Sequence, residues 1–223
     1  MLTTGIIYPE RLDENKRIQF EANLFLEINA TQTGARSELK QSIELLLKPF
    51  STVAIAKAVV SMLNEEGPLE TCLEEYFYEK GKIKTTSIVS YGLKPIVKLG
   101  GEDSLFKLWS NPNKRELSNG KNHLLLEIYR KFCTKEINKI LAAYKQDIPS
   151  KLWTTNQKIS KFLTPTSING LISCLRLLIQ NNKTGEIDYY KEKLKEINKF
   201  KFENYKSSQW NSLGTELYNT YFS

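Results

Sequence analysis

"LTPTSINGLISCLRLLIQNN", residues 163–182, is the stretch whose reading decides the fold. Thr164 stands where a helix N-cap belongs, and Pro165 occupies the first helical position, where a missing N–H costs nothing. Behind them runs a nearly continuous apolar body up to Ile179. A helix that is apolar on most of its faces has to be buried, so the spacing predicts a central helix over 165–180. Its neighbours should then be amphipathic. Two segments qualify, "HLLLEIYRKFCTKEINKILAAYK" (123–145) and "SSQWNSLGTELYNTYF" (207–222), the latter with Trp210, Leu213, Leu217 and Tyr221 at helical intervals. The expected packing is of 165–180 against 124–141 and 210–221.

The same periodicity extends through the rest of the chain. Ile18, Phe20, Leu24, Phe25 and Ile28 mark a first helix. In "RSELKQSIELLLKPF" (36–50) Ser37 is a candidate N-cap, Leu39, Ile43, Leu46 and Leu47 share one face, and Pro49 stops the helix. Ser51 can cap "TVAIAKAVVSMLNEE", which Gly67-Pro68 ends. "TTSIVSYGLKPIVKL" (85–99) reads as a helix capped by Thr85 or Thr86 and kinked at Pro95, and "DYYKEKLKEINKF" (188–200) as a helix with Tyr190, Leu194 and Ile197 facing inward. The fold class expected is mainly α, a multi-helix bundle-like domain with at most a small β-hairpin near 76–87.

Composition narrows the function. The chain has 223 residues, 40% of them hydrophobic and 26% charged, the balance of an ordinary globular protein. No apolar run reaches the roughly 18–20 residues that a membrane span requires, and "MLTTGIIYPERLDENKR" lacks the pattern of a secretory leader. Cys72, Cys133 and Cys174 are odd in number and each lies within an apolar helical pattern, which fits free thiols in a reducing cytoplasm. The single histidine, His123, lies in a helical pattern and leaves no imidazole for a Ser-His or Cys-His relay. No Cys/His cluster with metal spacing and no glycine-rich phosphate loop occurs. Neither a cofactor nor independent catalysis is expected.

Charge divides the chain. Residues 1–110 carry a net −2 and residues 111–223 a net +9. The sign changes within 100–122, where Gly100-Gly101, Asn111-Pro112-Asn113 and Asn119-Gly120 punctuate a polar run. Two regions are expected, 1–110 and 111–223, or one continuous domain. The basic half is the candidate surface for DNA phosphates, through Lys114, Arg115, Lys121, Arg130, Lys131, Lys158 and Lys161, with Lys199, Lys201 and Lys206 near the end. Lysines on solvated helices also serve solubility alone.

"FLEINATQTG" (25–34) sets an apolar helix end against a polar cluster. Followed by "RSELKQSIELLL", it resembles the second half of proteins with a DGQHR domain, a family that includes DndB-like proteins associated with DNA phosphorothioate modification and is related to the ParB-like fold. The resemblance rests on an aromatic residue followed by Ile-Asn-x-x-Gln, here Phe25, Ile28, Asn29 and Gln32. It extends to the tail "YKSSQWNSLGTELYNTYF". The naming motif, Asp-Gly-Gln-His-Arg, is absent, since His123 follows Asn122 and precedes Leu124. The resemblance therefore implies the C-terminal part of a longer or divided protein, with a partner protein supplying the missing half. It also implies a helical DNA-associated module serving DNA modification, its regulation or phage defence. Asn29, Gln32 and Arg36 become candidate ligand-binding residues, because amides offer donors and acceptors together and arginine pairs bidentately with phosphate. Residues 29–36 are expected to form a pinned turn. The alternatives are half of a nuclease or nucleotide-hydrolase site completed by a partner, or a helical scaffold that binds only protein.

Overall fold

The computed structural model describes Tyr8 and residues 13–31, 37–75 and 79–223, with the backbone alone for 26–31, 37 and 38. Among these residues lie ten α-helices: α1 (Glu14–Thr31), α2 (Ser37–Leu47), α3 (Thr52–Glu65), α4 (Lys94–Val97), α5 (Leu105–Leu108), α6 (Lys114–Ser118), α7 (His123–Gln146), α8 (Pro165–Gln180), α9 (Ile187–Lys193) and α10 (Trp210–Tyr221). No β-strand occurs among them, so the protein is mainly α, as its periodicity requires. In the region expected to hold at most a hairpin there is one isolated parallel bridge between Leu73 and Ile83.

α8 is the axis of the packing. The Thr164 hydroxyl accepts from the Ser167 N–H at 3.1 Å and fixes the start of the helix. From Ser167 to Leu175 every residue of α8 is buried, and Leu178 and Ile179 are buried beyond them. α8 lies against α10 and α7, the two partners its apolar body called for. The approach to α10 is unusually close because glycines meet there. A Cβ on Gly214 would stand 2.5 Å from the Ser173 Cβ and 2.9 Å from the Gly170 carbonyl oxygen. α7 starts on Asn122, whose side chain accepts from Leu125 N–H at 3.0 Å, and it buries Leu126, Tyr129, Cys133, Ile137 and Tyr144. α3 starts on Ser51 in the same way and packs on α2 and α7. One hydrophobic cluster runs from Ile55 to Phe222, through α3, α7, α8 and α10.

Two expected helices are interrupted. Between Thr86 and Val97 the chain is helical, but Ile88–Leu93 is a π-helix and only Lys94–Val97 returns to α. Pro95 has no N–H and its ring crowds the carbonyl four residues back in a regular helix. The widened turn ahead of it, in which Lys94 N–H bonds Val89 O, meets that demand without a sharp break. The segment 188–200 does bury Tyr190, Leu194 and Ile197, yet α9 ends at Lys193 because Glu196 takes a left-handed backbone, φ 63°. Among the described residues no single helix is long and apolar enough to cross a membrane. Residues 39–47 and 52–65 pass that test only together, bent by 109°, and Ala54, Ile55, Ala56 and Val59 face the core.

Candidate functional site

The residues singled out in the sequence fall in different surroundings. Asn29 lies inside the last turn of α1 rather than at the start of a turn, because the helix continues to Thr31. Gln32 and Arg36, and with them most of the expected 29–36 turn, lie outside the described residues. Arg130 is not a surface residue. It is 8% exposed, pairs with Glu127, and donates from Nη2 to the Pro49 carbonyl at 3.0 Å. Its position on the α3-facing side of α7 made it part of the core, which charge counting could not detect. Lys114 turns inward as well, with Nζ 5.3 Å from the Phe106 ring centre. Arg115, Lys121, Lys131, Lys158 and Lys201 are exposed, and Lys199 pairs with Glu196 at 2.6 Å.

Lys161 and Lys206 are brought together, and with a residue the basic half does not contain. They share a cleft of about 690 Å³ with Lys84. Three chain segments form its walls: 84–87 leading into the π-helix, 157–166 leading into α8, and 202–207 leading into α10. Glu203 is the one carboxylate in the lining.

Each wall is held from behind. The Lys161 carbonyl accepts the Ser167 hydroxyl at 2.6 Å, and the next carbonyl, of Phe162, accepts the Tyr144 hydroxyl at 2.7 Å. Phe162 and Tyr144 both pack on Phe202, with ring centres 5.4 and 5.5 Å away, so the second and third walls share an aromatic core. Tyr205 stacks on Phe200 at 14° and 6.1 Å, and Lys206 N–H donates to Gln209 Oε1 at 2.8 Å. The first wall is clasped by two buried amides. Gln41 of α2 donates to Thr86 O at 3.4 Å and to Ser90 Oγ at 3.1 Å, and Asn169 of α8 donates to Ser87 O at 3.4 Å. Gly92 makes room for Asn169, since a Cβ there would lie 2.5 Å from Asn169 Oδ1.

The lining carries three lysines and one glutamate, and Thr164, Pro165 and Thr166 at the start of α8, the positive end of its dipole, line the same space. Burial and then the nearby Glu216 carboxylate raise the Tyr205 phenol, so it is a neutral hydroxyl at physiological pH. Lysine, serine, threonine and glutamine side chains bind an anion by charge and hydrogen bonds. Among the described residues no group of three or more His, Cys, Asp or Glu side chains could hold a metal ion. Burial pushes the Cys133 and Cys174 thiols up, which leaves them unreactive core groups.

Lys84 was missed because it belongs to the half of the chain with net negative charge. The available signal was its place directly ahead of Thr85-Thr86, a helix start, as Lys161 stands ahead of Thr164 and Lys206 ahead of Ser207. No family model, no curated protein and no solved structure matches this chain.

Proposed function

We propose that this chain is a helical, DNA-associated module that holds DNA through phosphate groups in the cleft between Lys84, Lys161 and Lys206. The single observation that carries the reading is the convergence of these lysines, from three distant segments, on one concave and firmly backed surface. Lysines kept only for solubility gain nothing from convergence, since like charges brought together repel one another. An anion in the cleft offsets that repulsion. In the DGQHR/DndB-like setting that the Ile-Asn-x-x-Gln segment resembles, such a module serves DNA modification, its regulation or phage defence, and a partner protein supplies the Asp-Gly-Gln-His-Arg half.

Fluorescence anisotropy with a labelled DNA strand, at low and moderate salt, tests the proposal. Binding should weaken steeply as salt rises, because each neutralised phosphate releases condensed counterions. It should be lost in the Lys161→Ala/Lys206→Ala double variant. DNA binding that survived this variant at full strength would remove the cleft from the reading.

A further inference from the structure

The chemistry of the cleft is narrower than a grip on a DNA backbone requires. A phosphodiester within a strand carries one negative charge and two free oxygens. A terminal phosphomonoester carries about −1.5 to −2 at neutral pH and three acceptor oxygens. We infer that the cleft takes a nucleotide by its terminal phosphate, a phosphomonoester dianion borne either by a free nucleotide or by the 5′ end of a DNA strand. This rests on the reading of the cleft as a phosphate site for nucleic acid.

Charge is the first argument. Lys84, Lys161 and Lys206 against Glu203 give the lining a net charge of +2, the complement of a dianion. A backbone tract, by contrast, is met by cations strung along a surface. Arg115, Lys121 and Lys131 are exposed, but none of them lines the cleft. Size is the second argument. The cleft volume of about 690 Å³ falls within the roughly 300–1,000 Å³ of small-ligand sites, and a duplex does not enter a space of that size. Third, neutral donors accompany the lysines on all three walls. Ser87, Thr166 and Ser207 carry hydroxyls, and Gln157 carries an amide. Such groups complete the shell of a phosphate and reach the sugar. The last argument is the Tyr205 ring, held in orientation by its parallel contact with Phe200. Tyr205 belongs to the lining, and an aromatic ring there can serve as a platform for a base, since such stacking is tolerant of base identity.

The test uses the full chain and a short single strand labelled at its 3′ end, prepared with a 5′-phosphate, with a 5′-hydroxyl, and as a covalently closed circle. Anisotropy should show the phosphorylated strand binding about tenfold or more tightly than the other two, a difference of about 1.4 kcal/mol. That preference should vanish in Lys161→Ala/Lys206→Ala and persist in Lys131→Ala, whose side chain is exposed on α7 outside the lining. Circular dichroism of each variant establishes that the helices are intact. Competition with a nucleoside 5′-monophosphate separates the two sources. Displacement assigns the free nucleotide, and a retained phosphate preference without displacement assigns the strand end. Equal binding of all three strands would overturn the inference while leaving the DNA reading in place. Binding of the monophosphate without any strand would overturn the DNA reading while the phosphomonoester site stands. Binding of neither removes both.

Discussion

At the scale of single residues the packing is tightest where side chains are smallest. Gly214 lets α10 settle on Gly170 and Ser173 of α8, and its Cβ would come within 2.9 Å of backbone oxygen, an obstacle that no rotamer change relieves. Gly214→Ala should therefore destabilise the fold, although alanine is the better helix former. Overpacking costs about 1–3 kcal/mol, and the gain in helix propensity returns about 1 kcal/mol at most. Thermal unfolding should show a melting temperature lower by several degrees, and an unchanged or raised value would mean the helices part easily. Asp103 is a second residue with a defined consequence. Partial burial works against its charge, but hydrogen bonds from Lys98, at 2.7 Å, and from Arg176 hold its carboxyl below the usual range. Because the folded value is depressed, the stabilisation is present above the unfolded value of about 3.9. It is lost as pH falls through the folded value. In Asp103→Asn, stability measured by denaturant at neutral pH should be lower, and its fall between about pH 5 and 3 shallower than in the parent.

At the scale of elements, what could be read from the sequence was whatever local chemistry enforces. The caps Ser51 and Thr164, the proline at the start of α8, and the 3.6-residue apolar spacing all act within one or two turns, so α3, α7, α8 and α10 were legible in advance. The π-helix and the break at Glu196 were not. In the first, the widened turn ahead of Pro95 also receives Asn169 of α8, which lies against Gly92 and bonds Ser87 O, a contact across 82 positions of sequence. The second adopts a left-handed turn that no glycine announces, and Asp147 accepts from the Glu196 N–H at 2.8 Å. Thr164 links local to functional structure. Its hydroxyl caps α8 and lies 2.9 Å from the Ser167 hydroxyl, which in turn donates to the Lys161 carbonyl. Thr164→Ala should cost about 1 kcal/mol of stability, as the loss of an N-cap usually does. It should also weaken phosphate binding, because the backbone that carries Lys161 loses a support. Thr164→Ser keeps the hydroxyl and should restore both. Stability lost with binding untouched would show that the cap and the cleft are independent.

At the scale of the whole molecule, charge was legible as a total and illegible as a place. The excess of lysine beyond residue 110 is real, but folding sends Arg130 into the core and draws Lys84, from the acidic half, to the side of Lys161 and Lys206. Sequence position orders charges along a line, whereas a ligand meets those that tertiary packing has set within reach of one another. Comparing Arg130→Ala with Lys161→Ala separates the two views. Arg130 is almost wholly enclosed, and removing its guanidinium leaves the Pro49 carbonyl without its donor. Stability should fall by about 1.5–3 kcal/mol, the usual worth of a hydrogen bond from a charged group. Phosphate contact should be unaffected, so the salt dependence of DNA binding should keep its slope. Lys161 is exposed, so Lys161→Ala should leave the melting temperature nearly where it was. If Lys161 neutralises one phosphate of a single strand, the plot of log affinity against log salt should become shallower by about 0.7. A slope that fell with Arg130→Ala in a still-folded protein and held with Lys161→Ala would place the DNA contact on α7 and away from the cleft.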